Sequence, residues 1–312
     1  MVLAVGVLDG EIVEVSKRRP VEISLREVSV SYPLSPSGRK TVLSELNLEI
    51  EAGEFVAVLG ETGCGKSTLL RLILGQELPS TGSIIVDGKP VTRIDSRRGY
   101  VPQKYSLFPD RTMIENAMFG PENAHCGWLG RLRPSFRAFK RKLRAEAERQ
   151  LLCMGLCTAD LNKYPHQLSG GMQQRVAIAQ ALMMKPPVLL MDEAFSALDP
   201  STRASLQQQL REIWQETRPT VLFVTHNTSE ALLLGTRLIV LAPHRENRPG
   251  GNVILDMSLP QSGDTISVRK QSREFMELRE HVKRHAYGNS SSSGEYRRVQ
   301  EIRERGDSPE CK

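Results

Sequence analysis

Apolar and polar residues follow two different patterns along this chain, and each pattern predicts its own kind of strand. Residues 21–31 and 42–50 alternate apolar and polar positions, which is typical of strands with one exposed face. Residues 55–59, 188–191 and 220–225 are continuously apolar, as in parallel strands that are covered on both faces. We therefore expect an α/β protein in which an antiparallel β subdomain lies beside a mixed or parallel sheet.

A helical subdomain is predicted for residues 104–185, because strand-like runs are rare there. Thr112 is followed three residues later by Glu115, which is the spacing of a capping box that opens a helix. The stretch 127–149 is strongly basic and contains helix formers towards its end. This region is expected to form helices inserted into the sheet-based core.

The two ends of the chain differ from its middle. A last strand is expected at 237–241, and the chain becomes polar beyond Leu259. One helix is predicted over 274–285. The predicted boundaries are 1–20 for a loose N-terminal tail, 21–258 for the main domain, 259–287 for a C-terminal helical extension and 288–312 for a flexible polar tail.

Composition leaves several partners open. The chain has 312 residues, and no apolar run approaches the roughly 18–20 residues of a membrane span. Its net charge of +6 fits contact with nucleic acid, anionic lipid or an acidic partner, and it also fits simple solubility. The five cysteines are scattered, which argues against a disulfide framework. Cys153 and Cys157 stand four residues apart without a second Cys or His pair nearby, so we expect core packing rather than a metal site.

The segment Gly60-Glu-Thr-Gly-Cys-Gly-Lys-Ser67 fits the phosphate-loop pattern G-x-x-x-x-G-K-S/T. It lies between a predicted buried strand and a predicted helix, as such a loop must. Glycines allow backbone N–H groups to surround a phosphate, and the helix N-terminus adds donors. Lys66 is suited to the β- and γ-phosphates, and the Ser67 hydroxyl is suited to Mg²⁺. A chance glycine-rich turn is the alternative. The predicted nucleotide-binding residues are Gly60, Glu61, Thr62, Gly63, Cys64, Gly65, Lys66, Ser67 and Thr68.

Two carboxylates, Asp192 and Glu193, follow a continuously apolar run. The carboxyl end of a parallel strand points into the crevice where ligands bind. Asp192 is therefore a candidate Mg²⁺ ligand, and Glu193 is a candidate general base for an attacking water. Such residues also cap following helices, which is the structural alternative.

A second anion site is predicted at Ser169, Gly170 and Gly171, which precede a helix rich in small residues. Ser-Gly-Gly before a helix is also a common cap. However, this one belongs to Leu168-Ser-Gly-Gly-Met-Gln-Gln-Arg175, between the phosphate loop and the paired carboxylates. That segment resembles the signature of ABC-type ATPases. The resemblance implies the ABC ATPase fold, in which a P-loop NTPase core carries an antiparallel β subdomain and an α-helical insertion.

The resemblance covers residues 21–245 and implies further roles. Within the superfamily the chain is most similar to importer ATPases of the nitrate, sulfonate and taurine type. Ala194 and Asn227 depart from the family, which usually has Pro and Asp there. The matching positions are Tyr32 for stacking on adenine, Gln103 for binding Mg²⁺ or the attacking water and sensing the helical insertion, Gln173 in the signature, Asp199 for contact with the opposite subunit and His226 for the γ-phosphate.

The resemblance thus implies an ATPase that uses ATP and Mg²⁺, with Glu193, His226, Lys66 and Gln103 as catalytic residues. Two copies would enclose two ATP molecules, each held by one chain's phosphate loop and the other's Ser169. The expected partners are separate permease subunits and, indirectly, an extracytoplasmic solute-binding protein, with the chain peripheral at the cytoplasmic face of the inner membrane. The alternative is a soluble or non-import ABC ATPase that acts on nucleic acid, ribosomes or another membrane complex. Because the chain has one cassette and no sustained heptads, we expect no nucleic acid partner.

Overall fold

The computed structural model describes residues 6–8, 11–13, 20–35, 38–104, 106–125, 134–196, 198–244, 252–261 and 266–287. The elements are, in order, β1 (Gly6–Leu8), β2 (Glu11–Val13), β3 (Val21–Ser35), β4 (Gly38–Glu51), β5 (Phe55–Gly60), α1 (Lys66–Leu74), β6 (Thr81–Val86), β7 (Lys89–Pro90), β8 (Arg98–Val101), α2 (Met113–His125), α3 (Pro134–Cys153), α4 (Gly170–Met183), β9 (Val188–Asp192), α5 (Pro200–Thr217), β10 (Thr220–Thr225), α6 (Thr228–Leu234), β11 (Arg237–Leu241), β12 (Val253–Ser258), α7 (Ile266–Gln271) and α8 (Arg273–Tyr287).

The core is a six-stranded mixed sheet in the order β12-β11-β5-β10-β9-β8. Strands β11, β5, β10, β9 and β8 are parallel, and β12 joins β11 antiparallel. Every residue of β5, β9, β10 and β11 is buried, as the continuously apolar runs predict. The phosphate-loop strand β5 therefore lies inside the sheet, with a neighbour on each side.

The antiparallel sheet is β4-β3-β6-β7, and it confirms the β subdomain expected from the alternating runs. Residues of β5 alternate between two hydrophobic clusters. Val56 and Val58 face α1 and the antiparallel sheet, whereas Phe55 and Ala57 face the cluster that contains the helical insertion. Near the N-terminus, β1 pairs antiparallel with β2, a short hairpin inside the stretch expected to be a loose tail.

The helical insertion consists of α2, α3 and α4, which pack against one another. The capping box predicted for α2 is formed, because the Thr112 N–H donates to Glu115 Oε2 at 2.9 Å and the Glu115 N–H returns to Thr112 Oγ1 at 3.4 Å. Residues 127–133 of the basic stretch lie outside the described residues. Cys153 ends α3 and Cys157 lies beyond it, and both are exposed, so the expectation of core packing was wrong.

The C-terminal extension contains α7 and α8, which pack on α6 and neighbouring elements. Phe275 and Val282 are buried seven positions apart on α8, which explains how a polar segment docks by one face. The helix predicted over 274–285 is thus confirmed, whereas strand β12 was not anticipated. The predicted polar tail, residues 288–312, lies outside the described residues. Among the described helices, none combines the length and the apolar character needed to cross a bilayer.

Candidate active site

The phosphate loop connects β5 to α1 and owes its path to glycine. Gly63 and Gly65 have φ values of +84° and +105°, in the region that side chains disfavour. A Cβ on Gly65 would also lie 2.6 Å from Leu43 Cδ2, so the loop passes close to the antiparallel sheet. The burial of Cys64 beneath the loop raises the pKa of its thiol.

The start of α1 differs from the starts of the other helices around the site. Helix α1 begins at Lys66; its N-cap residue is Gly65, which provides no side-chain cap, and its first turn has no acidic residue. By contrast, Ser169 caps α4, Asp199 caps α5 and Asn227 caps α6. No side chain therefore caps the first-turn N–H groups of α1, and no carboxylate in that turn offsets the positive end of its dipole. Both features fit the binding of a phosphate there.

Lys66 directs its ammonium group into the loop. Its Nζ donates to the carbonyl oxygens of Gly60 at 2.7 Å and Glu61 at 2.8 Å, and the residue is buried. Holding a cation at the mouth of an uncapped helix start concentrates positive potential at one point. The loop therefore presents backbone donors and one fixed positive charge to the same small volume.

Asp192 lies at the end of β9, next to Ser67. Its carboxylate is buried, and burial raises its pKa, while a hydrogen bond with the Ser67 side chain and the nearby charges of Lys66 and Arg71 oppose that rise. A hydroxyl and a buried carboxylate side by side are oxygen ligands of the kind that Mg²⁺ prefers. A bound cation would offset the unfavourable burial of this carboxylate, so the pair fits a divalent cation.

Glu193 contacts two further residues that were predicted to belong to the site. Its Oε2 accepts a hydrogen bond from Gln103 Nε2 at 3.0 Å and lies 3.1 Å from His226 Nδ1. Residue 193 has a φ of +45°, and its N–H donates to the Val224 carbonyl oxygen at 2.9 Å, so the backbone turns sharply between β9 and the following loop. This turn aims the carboxylate at the ends of β8 and β10, where Gln103 and His226 are found.

Tyr32 lies half-buried in β3, beside Thr68 of α1 and Glu77, and burial raises the pKa of its phenol. It therefore flanks the phosphate loop on the side of the antiparallel sheet. An aromatic ring at this position can offer a face to a nucleobase whose phosphates lie on the loop.

The remaining predicted residues make local contacts. Ser169 Oγ accepts the Met172 N–H at 3.2 Å, and Gln173 Nε2 donates to the Leu168 carbonyl oxygen at 3.0 Å. Asp199 Oδ1 accepts the Ser201 hydroxyl at 2.6 Å and the Thr202 N–H at 3.0 Å, which holds its pKa far below the ordinary range. These contacts order the starts of α4 and α5, and their partners are residues of those helix starts rather than Lys66, Asp192 or Glu193.

Two unpredicted charged residues lie next to this site. Glu230 of α6 is buried, and Arg203 of α5 reaches its carboxylate. Sequence reasoning assigned neither residue a role, because the two are separated along the chain and nothing in their local sequence shows that they meet. The only sequence signal is that Glu230 directly precedes the apolar run 231–234.

Comparison with known proteins decides the family. Residues 43–196 match the family model described as ABC transporter. An uncharacterised ABC transporter ATP-binding protein of Methanocaldococcus jannaschii is 38% identical over 271 residues, which cover 86% of this chain and 93% of that protein. The chain belongs to the ABC transporter family.

Other relatives of this ABC protein carry more specific names. The bicarbonate transport ATP-binding protein CmpD of Synechocystis is 40% identical over 77% of this chain and 79% of its own length. The aliphatic sulfonates import ATP-binding protein SsuB of Bacillus cereus is 35% identical over 83% of this chain and 94% of its own length. The resemblance to importer ATPases is thereby confirmed.

A solved structure extends the comparison to the fold. The ATP-binding cassette MJ0796, a dimer in a post-hydrolysis state bound to ADP and Pi, has a TM-score of 0.64 and 30% identity. The match covers 77% of this chain and 100% of that chain. The ABC ATPase fold expected from the signature is confirmed, and the chain is an ATP-binding ABC subunit with ATPase activity.

Proposed function

We propose that this chain energises the import of a small solute through separate permease subunits, as one of two copies that enclose two ATP molecules. One observation supports the hydrolytic part of this proposal above the others. Gln103 and His226 converge on Glu193 Oε2, beside the Ser67–Asp192 pair and the uncapped start of α1. The import part is supported by the similarity to ATP-binding proteins that are named for bicarbonate transport and for import of aliphatic sulfonates.

The phosphate loop is proposed to bind the triphosphate. Backbone N–H groups of residues 60–68 and the start of α1 take the phosphates, and Lys66 exchanges its bonds to the loop carbonyls for the β- and γ-phosphates. Tyr32 stacks on the base. Ser67, Asp192 and Gln103 are the proposed holders of Mg²⁺, which supplies positive charge to the phosphates when it is bound.

Glu193 is proposed to act as the general base. Its Oε2 takes a proton from the water that attacks the γ-phosphorus in line with the departing ADP oxygen, so that ADP and phosphate form. Gln103 orients the water and His226 donates towards the γ-phosphate oxygens. Because both side chains already contact Glu193, only small movements are needed to place a water among them.

The second copy is proposed to complete the site. Ser169, Gly170, Gly171 and Gln173 would face the γ-phosphate held by the partner's phosphate loop, and Asp199 would contact the partner. The local bonds of Ser169 and Asp199 support this, since they order two helix starts without using the chain's own nucleotide loop. Closing the dimer would then assemble both sites at once.

Permease chains are proposed to dock on the helical insertion near Gln103, which places the protein peripherally at the cytoplasmic face of the inner membrane. A solute-binding protein outside the membrane would deliver the substrate. Bicarbonate and sulfonates, named for the relatives, are both small oxyanions, and nitrate-like anions share that chemistry. We therefore propose a small oxyanion, or a related nitrogen compound, as the transported solute.

Affinity capture of tagged chain from gently solubilised native membranes, followed by mass spectrometry, tests this function. The expected result is co-purification of a polytopic membrane protein in equal copy number with the chain. A matched capture with the Lys66→Ala variant identifies contacts that do not need ATP. Recovery of ribosomes or nucleic acid from a mainly soluble chain would overturn the transport proposal and leave the ATPase standing.

The solute is then tested by uptake. Proteoliposomes that contain the captured complex, ATP inside and the binding protein outside should accumulate one labelled oxyanion, and Glu193→Gln should abolish that uptake. Accumulation of none of bicarbonate, nitrate, sulfonate or taurine would reject the proposed substrate class.

A further inference from the structure

A series of polar contacts leads from the loop around Leu198 to Glu230. Arg203 Nη2 donates to the Leu198 carbonyl oxygen at 2.8 Å. Arg203 Nε lies 3.6 Å from Glu230 Oε1, and the Glu230 side chain is only 9% exposed. One guanidinium thus joins the backbone before Asp199 to a buried carboxylate on α6.

Glu230 leads on to the backbone around His226. Thr225 Oγ1 donates to Glu230 Oε2 at 2.8 Å, and the same Oγ1 accepts the Asn227 N–H at 3.0 Å. A hydroxyl has one proton, so donating it to Glu230 fixes which way the hydroxyl points and leaves its lone pairs to accept from Asn227. Thr225 and Asn227 flank His226, so one hydroxyl holds the chain on both sides of the histidine.

The opposite end of the series touches the signature segment. Leu198 is buried, and a Cβ placed on Gly171 would lie 3.4 Å from Leu198 Cδ2, an ordinary packing distance. The side chain of Leu198 therefore lies under the start of α4, while its carbonyl oxygen is held by Arg203. If the Ser169–Gly171 segment moves, it displaces Leu198, and Leu198 in turn displaces Arg203 through the bond to its carbonyl oxygen.

Stability alone is a poor explanation for this arrangement. Burial raises the pKa of Glu230, with Thr225, Arg203 and His226 acting in the opposite direction. A buried carboxylate held by one cation at this distance gains little net stability. Nor is Glu230 required as a cap, because Asn227 Oδ1 already accepts the N–H groups at the start of α6.

We propose that Arg203, Glu230 and Thr225 are positioning residues that hold His226 against Glu193. How firmly they hold it depends on the position of Leu198 and of the signature segment, residues 169–171. This inference rests on the proposed function, in which the signature segment faces the partner's nucleotide. It connects that interface, through side chains of the same chain, to the chain's own Glu193. His226 is then in place for hydrolysis only when Leu198 packs against Gly171 and its carbonyl oxygen is bound by Arg203.

A matched pair of variants at residue 225 tests the path. Thr225→Val keeps the shape of the side chain and removes the hydroxyl, whereas Thr225→Ser keeps the hydroxyl. Thr225→Val should lower kcat by about tenfold or more, since small misplacements of catalytic groups have effects of this size, with KM for ATP and the Kd of ATP unchanged. Thr225→Ser should retain kcat close to that of the wild type. Equal kcat values for all three proteins would overturn the proposal.

A double-mutant cycle separates positioning from structural damage. If Thr225 acts through His226, then Thr225→Val should produce no further loss in a His226→Ala background, in single-turnover measurements. Independent, additive losses would refute the path. In the nucleotide-free protein, the ring resonances of His226 should shift in Thr225→Val and stay in place in Thr225→Ser, a readout that needs no activity.

Charge variants test the other contacts. Glu230→Gln and Arg203→Gln should each lower kcat without changing Kd for ATP, and neither loss should add to that of Thr225→Val. Glu212→Gln, an exposed carboxylate change on α5, is the control. Wild-type protein that hydrolyses no ATP would reject the proposed function itself, whereas active wild type with active Glu230→Gln and Thr225→Val would reject only the positioning path.

Discussion

Replacing Glu193 with Gln is the most direct test of the active site. The change keeps the size of the side chain and removes its charge. Glu193 Oε2 accepts from Gln103 at 3.0 Å and lies 3.1 Å from His226 Nδ1. A glutamine oxygen in the place of Oε2 can still accept from both partners, but more weakly because the amide is neutral, and the NH₂ group replaces Oε1. The variant therefore loses the base and weakens the arrangement around it.

The size of the effect follows from both losses. A general base contributes roughly 10²–10⁴-fold to a rate, and each tenfold step corresponds to about 1.4 kcal/mol. Replacing two bonds to a charged carboxylate oxygen by two weaker bonds to a neutral amide oxygen costs about 1 kcal/mol more in positioning. We therefore expect kcat to fall by roughly 10³–10⁵-fold.

ATP binding should survive this substitution, because the phosphate loop, Lys66 and Asp192 are untouched. Phosphate release gives kcat, a fluorescent ATP analogue gives Kd, and light scattering after gel filtration reports the dimer. The expected result is unchanged Kd and an ATP-dependent dimer that persists because hydrolysis is blocked. The Glu212→Gln control should behave as wild type. Turnover of Glu193→Gln within about tenfold of wild type would show that Glu193 is not the base.

Three further substitutions give distinct outcomes. Burial raises the pKa of Asp192 in the folded state above its ordinary value of 3.8. Between the ordinary pKa and the raised pKa, the folded state binds more protons than the unfolded state, so the free energy of unfolding falls as pH rises through that window. Asp192→Asn should therefore raise the Tm of nucleotide-free protein at pH 7.5 and remove the extra Tm increase that Mg²⁺ gives with ATP; a lower Tm would contradict this sign. Ser169→Arg should stop hydrolysis without weakening ATP binding to the isolated chain, and in a mixed dimer the nucleotide on the wild-type copy should lose closure, whereas loss confined to the variant's own nucleotide would disprove the shared site. Asn252→Ala removes a buried amide that bonds Ser44 N–H and the carbonyl oxygens of Val42 and Ala242, so urea unfolding should report a loss of about 3 kcal/mol; a loss below about 1 kcal/mol would show that these bonds are replaced.

Local pattern was sufficient for most of the secondary structure. Alternation predicted β3 and β4, continuous apolar runs predicted β5, β9 and β10, and the Thr112–Glu115 spacing predicted the start of α2. These features are an alternation, a continuous run and a short fixed spacing, and each is visible without knowledge of the fold. Strand β12 was missed because it lies at the sheet edge, where half-exposed positions weaken the pattern.

Motif chemistry also placed the site residues in their loops. Gly63 and Gly65 adopt the positive φ angles that the phosphate-loop pattern requires, and Ser169 and Asp199 occupy helix starts. The exposed Cys153 and Cys157 show the limit of such reasoning. Burial of a short apolar side chain depends on where the helix ends, and α3 ends at Cys153.

By itself, the sequence determined which chemical groups this protein possesses: a phosphate loop, paired carboxylates and a second glycine-rich helix start. Only the tertiary structure decided which of them meet. Gln103 lies 90 positions from Glu193, yet their side chains touch, because the sheet order puts β8 beside β9 and β9 beside β10. The link from Arg203 through Glu230 to Thr225 likewise exists only because the fold brings Arg203 of α5 to Glu230 of α6, and Glu230 to Thr225 of β10. Contacts of this kind depend on how distant elements are arranged in space, and no local period encodes that arrangement.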